Sequence, residues 1–373
     1  MKVGVIGAGV MGCAAAAALA RRGAKVQLFE RDVIGAATSS SMGPSRIIRL
    51  SYADVDYIRL ADQSFQAWRA IEDESGEALM IETGGIDIAR PDNSSLDRLA
   101  TALSSEAVPF ELWDDRDLKQ AYPQFKAEDL RALFQPQTAV LHADRCVTTL
   151  AASAVNGGTQ VHILTEVQEI HPHSGSVTLR TASADHVFDR VVICAGPGTV
   201  GFLEATGLHL PFTVSMEQSV YFATDRGDSF APGRFPIGIG HFDEHVLTSI
   251  FPALDSDGVK MMIENKTAAA DPNDFAVDQD AVEQVAKRAH DLLPSLGRSI
   301  SRVDRARYTI LPDEDFLVDR HPEHDEIIIC SACSGHGFKF APVIGEIVAA
   351  LAEGGETHPR FRFSPERFGR NAQ

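Results

Sequence analysis

Two arginines three residues apart, Arg46 and Arg49, follow a loop rich in Ser, Thr, Gly and Pro that runs from Thr38 to Ser45. Guanidinium groups at that spacing could clamp a carboxylate through paired charge-assisted hydrogen bonds, or could pair with acids on the surface. A second chemical segment stands near the C-terminus: Ser334-Gly335-His336-Gly337-Phe338-Lys339-Phe340. Gly335 and Gly337 permit the backbone to approach a flat ring, and Lys339 adds positive charge. His336 reads either as part of that site or as a structural turn residue. Cys330 and Cys333 form a CxxC, but no second ligand pair for zinc accompanies them. With Cys13, Cys146 and Cys194 they make an odd, scattered set. That set is read as buried small residues, not as a disulfide framework or a metal site.

These groups need a scaffold, and the N-terminus supplies one. Residues 2–6 read as a short buried strand, 10–22 as a helix ended by Gly23, and 25–30 as a second strand. Between strand and helix lies Gly7-Ala8-Gly9-Val10-Met11-Gly12, a GxGxxG in the context that dinucleotide binding requires. Gly7 allows the tight turn, Gly9 lets backbone approach a pyrophosphate, and Gly12 lets helix and strand pack closely. The helix N-terminus offers free N–H groups to phosphates. Glu30 ends the second strand, where a carboxylate can accept from ribose hydroxyls; Arg31 and Ser45 are further candidates for the cofactor wall. The fingerprint does not choose between NAD and FAD. Residues 191–196, an apolar strand ending in Ala195-Gly196, suit a return to the same sheet beside the cofactor, an element common where FAD is bound.

The rest of the 373-residue chain is long enough for two domains or one elaborated domain. Apolar residues make up 44%, enough for a real core. Net charge is 34 − 52 = −18, which argues against a nucleic-acid partner. The Ala-rich start mimics a signal peptide, but glycines at 4, 7, 9 and 12 break the run. No segment has the length and apolarity of a membrane span. A cytoplasmic protein, monomeric or weakly dimeric, is expected.

Helical periodicity over 54–75 puts Tyr57, Leu60, Ala61, Phe65, Trp68 and Ile71 on one face. A strand is read at 80–90, a charged helical stretch at 93–121, and a strand meander over 158–190. Strands fill 213–265 and return at 307–311 and 325–330. Helices are read at 280–293 and at 342–353, the latter ending at Gly354-Gly355. No internal repeat is evident. The pattern is α/β at both ends with antiparallel strands between.

Taken in order, GAGVMG, SRIIRLSY, YTILPDEDFLVDRHPEH and SGHGFKF resemble the monomeric sarcosine oxidase family of FAD amine oxidases, with N-methyltryptophan oxidase and the fructosyl-amino-acid oxidases (amadoriases), over nearly the whole chain. The resemblance implies an α/β (α+β) fold: a Rossmann-like FAD-binding domain of the D-amino-acid-oxidase type with an inserted antiparallel-sheet substrate domain. The implied division is 1–80, 145–210 and 312–373 against 81–144 and 211–311. By position, Arg49 and Lys339 would bind the substrate carboxylate and Arg46 would lie against the flavin. Tyr308 would line the substrate cavity, and Lys260 would sit by the flavin N5 to activate oxygen as a fixed cation.

Two departures from the family carry expectations. Many members tether FAD through a cysteine two residues before the tyrosine matching Tyr308; Ala306 stands there, which implies non-covalent FAD. Four residues after Lys260, where sarcosine-specific members resemble each other in a histidine, this chain has Glu264, as in the fructosyl-amino-acid oxidases. A carboxylate there could accept from sugar hydroxyls, or could pair with Lys266. The expected reaction is therefore oxidation of the secondary amine of a fructosyl-amino acid by FAD and molecular oxygen, giving an imine and hydrogen peroxide. A sarcosine or N-methyl amino acid oxidase, a cyclic-imino-acid oxidase and a flavin dehydrogenase remain alternatives. So does a non-catalytic FAD-binding subunit.

Overall fold

A computed structural model describes residues 1–224, 227–243 and 246–368. Its first layer is a six-stranded sheet in the order Leu317–Arg320, Ile327–Ser331, Arg190–Ile193, Lys2–Ile6, Lys25–Phe29, Gln160–His162. All neighbours are parallel except the first pair. The apolar runs VGVI, VVI and III fill the centre, as expected for strands covered on both faces. Helix Val10–Arg21 packs against Ala143–Asn156 and Ala341–Ala352. Its five consecutive alanines, Ala14 to Ala18, are all buried, and small residues let the helices come close. A Cβ on Gly345 would sit 2.7 Å from the Ala14 carbonyl oxygen. An antiparallel three-stranded sheet, Val167–His173, Ser176–Thr181 and Asp185–Phe188, packs against the main sheet through Val177, Leu179 and Phe188, which cluster with Ile6, Phe29, Val191 and Ile193.

The second layer is an eight-stranded sheet in the order Ile300–Ile310, Thr213–Phe222, Val259–Ile263, Val246–Phe251, Ile237–Asp243, Gly85–Ala89, Arg131–Gln135, Glu111–Trp113. Helix Gln279–Leu292 covers it with Val282, Val285 and Ala289. A small sheet of Ser45–Ile48, Ala139–His142 and Met80–Glu82 carries the RIIR segment. The fold is thus a mixed α/β dinucleotide-binding architecture with a large, mostly antiparallel sheet.

Several sequence expectations need correction. The stretch 93–121 is two helices, Ser95–Ser105 and Asp115–Ala121, separated by strand Glu111–Trp113. Left-handed Ala107 and Pro109 end the first helix, and Asp114 restarts the second by accepting from the amides of Arg116 at 2.9 Å and Asp117 at 3.0 Å. The meander starts at 167, because Gln160–His162 joins the main sheet parallel to Lys25–Phe29. The substrate sheet is not wholly antiparallel: Ile237–Asp243 runs parallel to Gly85–Ala89. Helix Ala143–Asn156 was not anticipated; Val147, Thr148 and Thr149 weaken its propensity, and packing on the first helix holds it. No helix of the described residues is long and apolar enough to cross a membrane.

Candidate active site

One cavity of about 1040 Å³ runs from the N-terminus of the first helix to the inner face of the large sheet. At the helix end the walls are backbone. Gly7 (φ +95) turns the chain, and a Cβ there would meet the Cys194 carbonyl oxygen at 2.5 Å. Gly12 does not line the cavity; a Cβ on it would sit 1.8 Å from the Gly7 carbonyl oxygen, so its part is to let helix and turn touch. Gly9, the helix N-cap, has no side chain to cap the helix. Glu30 accepts from the amides of Ala8 at 2.8 Å and Asp32 at 3.0 Å, which holds its carboxylate at the cavity wall. Arg31, Ala195 and Gly196 line the same end.

Halfway along, Arg46 donates to the carbonyls of Ser45, Ser40 and Met42 at 2.7, 2.9 and 2.8 Å and lies over the Phe338 ring at 5.5 Å. It staples the 38–45 loop to the 335–340 segment. Lys260 comes from strand Val259–Ile263 and is buried, with Nζ 3.3 and 3.4 Å from the carbonyl and hydroxyl oxygens of Ser45 and 4.5 Å from the Phe251 ring centroid. Burial, then the Arg46 cation, holds its pKa well below that of an ordinary lysine. Ser45 itself is buried and touches the site through its two contacts with Lys260.

At the far end Arg49 and Lys339 meet across Tyr52. Arg49 donates to Ser51, lies 4.8 Å from the Tyr52 ring centroid, and has the buried Asp87 at 3.9 Å. Lys339 donates to the Tyr52 hydroxyl at 2.8 Å. Its backbone carbonyl accepts from Trp68 Nε1 at 2.8 Å, so the long helix Val55–Ser75 fixes its position. Tyr308 projects from Ile300–Ile310 against Gly335, whose left-handed φ of +80 and missing Cβ make room: a Cβ would press 3.0 Å from the tyrosine ring. Gly337 is tighter still, since a Cβ there would meet the Ala332 carbonyl at 1.9 Å. Glu264 lines the cavity but faces Lys266 at 3.3 Å, a charge contact without good hydrogen-bond geometry, and Lys266 also holds Glu314 at 2.8 Å. Burial raises the Glu264 carboxyl above its usual range despite Lys266.

The sequence reading missed Tyr52, Asp87 and His241. Tyr52 stood inside the SRIIRLSY segment, three residues after Arg49. Asp87 had a plain signal, a lone acid in the apolar strand GIDIA, every residue of which is buried. His241 Nε2 sits 2.7 Å from the same carboxylate, a pairing no local pattern reveals. Burial would raise the Asp87 carboxyl, but His241 and Arg49 outweigh it and the net shift is downward. A cysteine also lies closer than the sequence suggested: Cys333 lines the cavity beside Ala306, its sulfur 3.4 Å from the Thr309 amide, and burial raises its thiol pKa.

The cavity fits FAD on its own evidence. The helix-end turn has glycine at 7 and 12, where a Cβ would strike backbone, and at 9, where a Cβ would crowd the Ser41 hydroxyl at 3.2 Å. Buried polar atoms of Ser40, Arg307 and Thr309, residues on its wall, have no protein partner. Cations cluster along it in a chain of net charge −18.

The FAD dependent oxidoreductase family pattern matches residues 2–351. Monomeric sarcosine oxidase of Streptomyces avermitilis is 31% identical over 372 residues, covering 97% of this chain and 96% of that protein. N-methyl-L-tryptophan oxidase of Salmonella heidelberg is 26% identical over 375 residues, covering 99% and 98%. Among solved structures, the fructosyl amine oxidoreductase Amadoriase I of Aspergillus fumigatus shares the fold, with a TM-score of 0.82 at 19% identity over 98% of this chain and 90% of that one.

Proposed function

Since this chain belongs to the FAD dependent oxidoreductase family and is an FAD enzyme oxidising the CH–NH bond of N-substituted amino acids, we propose that its substrate is a small N-methyl α-amino acid of the sarcosine type, oxidised with oxygen as acceptor. What supports this choice is the kind of protein the chain is similar to: a sarcosine oxidase at 31% identity and an N-methyl-L-tryptophan oxidase at 26%, each over at least 97% of the chain, against a likeness in fold at 19% identity to the fructosyl amine oxidoreductase. The Glu264 carboxylate faces Lys266, which is itself shared with Glu314, and its Oε2 has no hydrogen-bond partner. The fructosyl-amino acid stays as a second reading because Glu264 still borders the cavity.

Arg49 and Lys339 would hold the substrate carboxylate from two sides, with Tyr52 setting their spacing. Tyr308 and Met262, whose hydroxyl and sulfur lie 3.9 Å apart, would form the wall along the N-methyl group. Fixing the carboxylate orients the C–H next to nitrogen and supplies proximity. The turn at Gly7 to Gly12, Glu30 and Arg31 would hold the nucleotide half of the cofactor, and Arg46 with residues 335–339 the ring half. Bound FAD would accept the hydride equivalent and pass the electrons on to oxygen. Lys260 would present a fixed, dry cation beside the ring, where negative charge develops on oxygen. Ala306 offers no tether and the Cys333 thiol is held protonated, so FAD would be bound non-covalently. We also propose the division into a cofactor part, 1–80, 145–210 and 312–373, and a substrate part, 81–144 and 211–311.

Peroxide release should be measured for the holoenzyme with sarcosine, other N-methyl amino acids, proline, pipecolate and fructosyl-glycine. Sarcosine or another N-methyl amino acid should give the highest kcat/KM; a higher value for fructosyl-glycine would overturn the choice. Acid precipitation should leave all yellow colour in the supernatant.

A further inference from the structure

The hydrogen bonds around Lys339 run in one direction. His336 Nε2 lies 3.2 Å from the Glu314 carbonyl oxygen. A carbonyl only accepts, so Nε2 carries the imidazole hydrogen and Nδ1 is left as acceptor. The Tyr52 hydroxyl, 3.3 Å from Nδ1, therefore donates to it, and its oxygen accepts from Lys339 Nζ at 2.8 Å. Nζ also donates to the His336 carbonyl oxygen at 2.7 Å. Two hydrogens of Lys339 are thus committed. The remaining position is a third hydrogen in the ammonium form and a lone pair in the amine form, on a side chain that lines the substrate cavity.

The charges around Lys339 decide which form it takes. Arg49 faces it across the Tyr52 ring. Among the described residues no carboxylate bonds to Lys339: Glu264 faces Lys266, Glu314 holds Lys266, Asp87 lies between Arg49 and His241, and Asp315 binds Tyr57 and Arg360. His336 is held neutral chiefly by burial, which pushes its pKa well below the ordinary value. Burial, then Arg49, pushes the Lys339 pKa well below its ordinary value, with Glu264 opposing.

We propose that Lys339 is the base that takes the proton from the substrate's ammonium group as the carboxylate docks. An N-methyl amino acid arrives as a zwitterion, and its nitrogen must be neutral before the neighbouring C–H can leave as hydride. The arriving carboxylate supplies the missing counter-charge to Arg49 and Lys339, which makes Nζ a stronger base. One proton moves from the substrate nitrogen to Nζ, no other bond changes, and nothing is exchanged with solvent. The bound pair is then an ammonium–carboxylate contact beside a neutral secondary amine.

This rests on the carboxylate role assigned to Arg49 and Lys339, and the test separates the two. Butanoate is the carbon isostere of sarcosine and brings a carboxylate without a proton. Titrated calorimetrically into the holoenzyme at pH 7.5, in buffers of different ionisation enthalpy, it should bind with net proton uptake, at most about one proton per site by the stoichiometry of the transfer. Lys339→Arg should still bind butanoate but take up none, whereas Lys260→Met should retain the uptake. With sarcosine, Lys339→Arg should lose about 10²-fold or more in kcat/KM at pH 7.5, within the range of general-base catalysis, and recover toward the amine's own pKa. Butanoate binding without proton uptake in the wild-type protein overturns the proposal, as does unchanged kcat/KM in Lys339→Arg. Failure of butanoate to bind would overturn the carboxylate site itself.

Discussion

The two ends of the cavity are made of different material. At the nucleotide end most contacts are brought together within the first 31 residues by two strands, a glycine turn and one helix, with Glu30 and Arg31 at the wall and Ala195-Gly196 added from the neighbouring strand. At the substrate end they are side chains delivered by segments more than 200 residues apart: Arg49 and Tyr52 from the RIIR segment, Lys260 from the large sheet, Tyr308 from its edge strand, and Lys339 from the C-terminal loop. Close backbone contacts crowd both ends, at Gly7 and Gly12 and again at Gly337, but only the second end is built on a cluster of charged side chains. Substitutions at the two ends should therefore fail in different ways.

The largest effect belongs to the backbone end. Gly12→Val places a Cβ where the Gly7 carbonyl oxygen stands 1.8 Å away, and neither group is a flexible side chain that can move aside. The variant is expected to lose bound FAD altogether, seen as loss of the flavin absorbance bands in purified protein. A yellow Gly12→Val protein with full flavin content would break the contrast.

Next comes the charged end. Arg49→Ala removes one of the two proposed carboxylate partners and leaves the nucleotide end untouched. Hydrogen bonds to charged groups contribute about 1.5–3 kcal/mol, so KM for the amino acid should rise about 10–100-fold while flavin content stays at the wild-type level. An unchanged KM would remove Arg49 from the site, and a colourless protein would show that the two ends are coupled.

The same contrast explains what could be read beforehand. GxGxxG, Glu30 and the strand–helix–strand order are local patterns, and local patterns survive in a sequence. At the charged end the residues themselves suggested a carboxylate clamp and a nearby cation, but only the resemblance of RIIR and SGHGFKF to a family joined the two segments, because the meeting of Arg49 with Lys339 is a property of the fold. Asp87 and His241, which are 154 positions apart, could not be paired from either segment alone. The contact of Ser45 with Lys260, 215 positions away, is likewise invisible in the segment around Arg46. For Glu264 the sequence left two roles open, sugar contact or a pair with Lys266, and the structure keeps both: Lys266 lies 3.3 Å away while Oε2 has no hydrogen-bond partner.

The smallest expected effect tests whether pH acts on the two ends separately. His321 is 3% exposed, stacks on His324 at 4.9 Å and sits 3.2 Å from the Thr206 hydroxyl, and neither His321 nor His324 lines the cavity. Burial, then His324, pushes its pKa down from 6.5 to about 4. The unfolded chain therefore binds this proton near 6.5 and the folded one only near 4. Its contribution to stability is present above pH 6.5 and is lost as pH falls through that window. Discounted for solvent screening, the contribution is about 1–2 kcal/mol. Urea unfolding between pH 7 and pH 4.5 should show that loss in the wild type and a correspondingly flatter profile in His321→Gln. The pH dependence of amine oxidation should be the same in both proteins, since neither histidine lines the cavity. A shift of the activity profile in His321→Gln would mean that the cofactor sheet and the charged end titrate together.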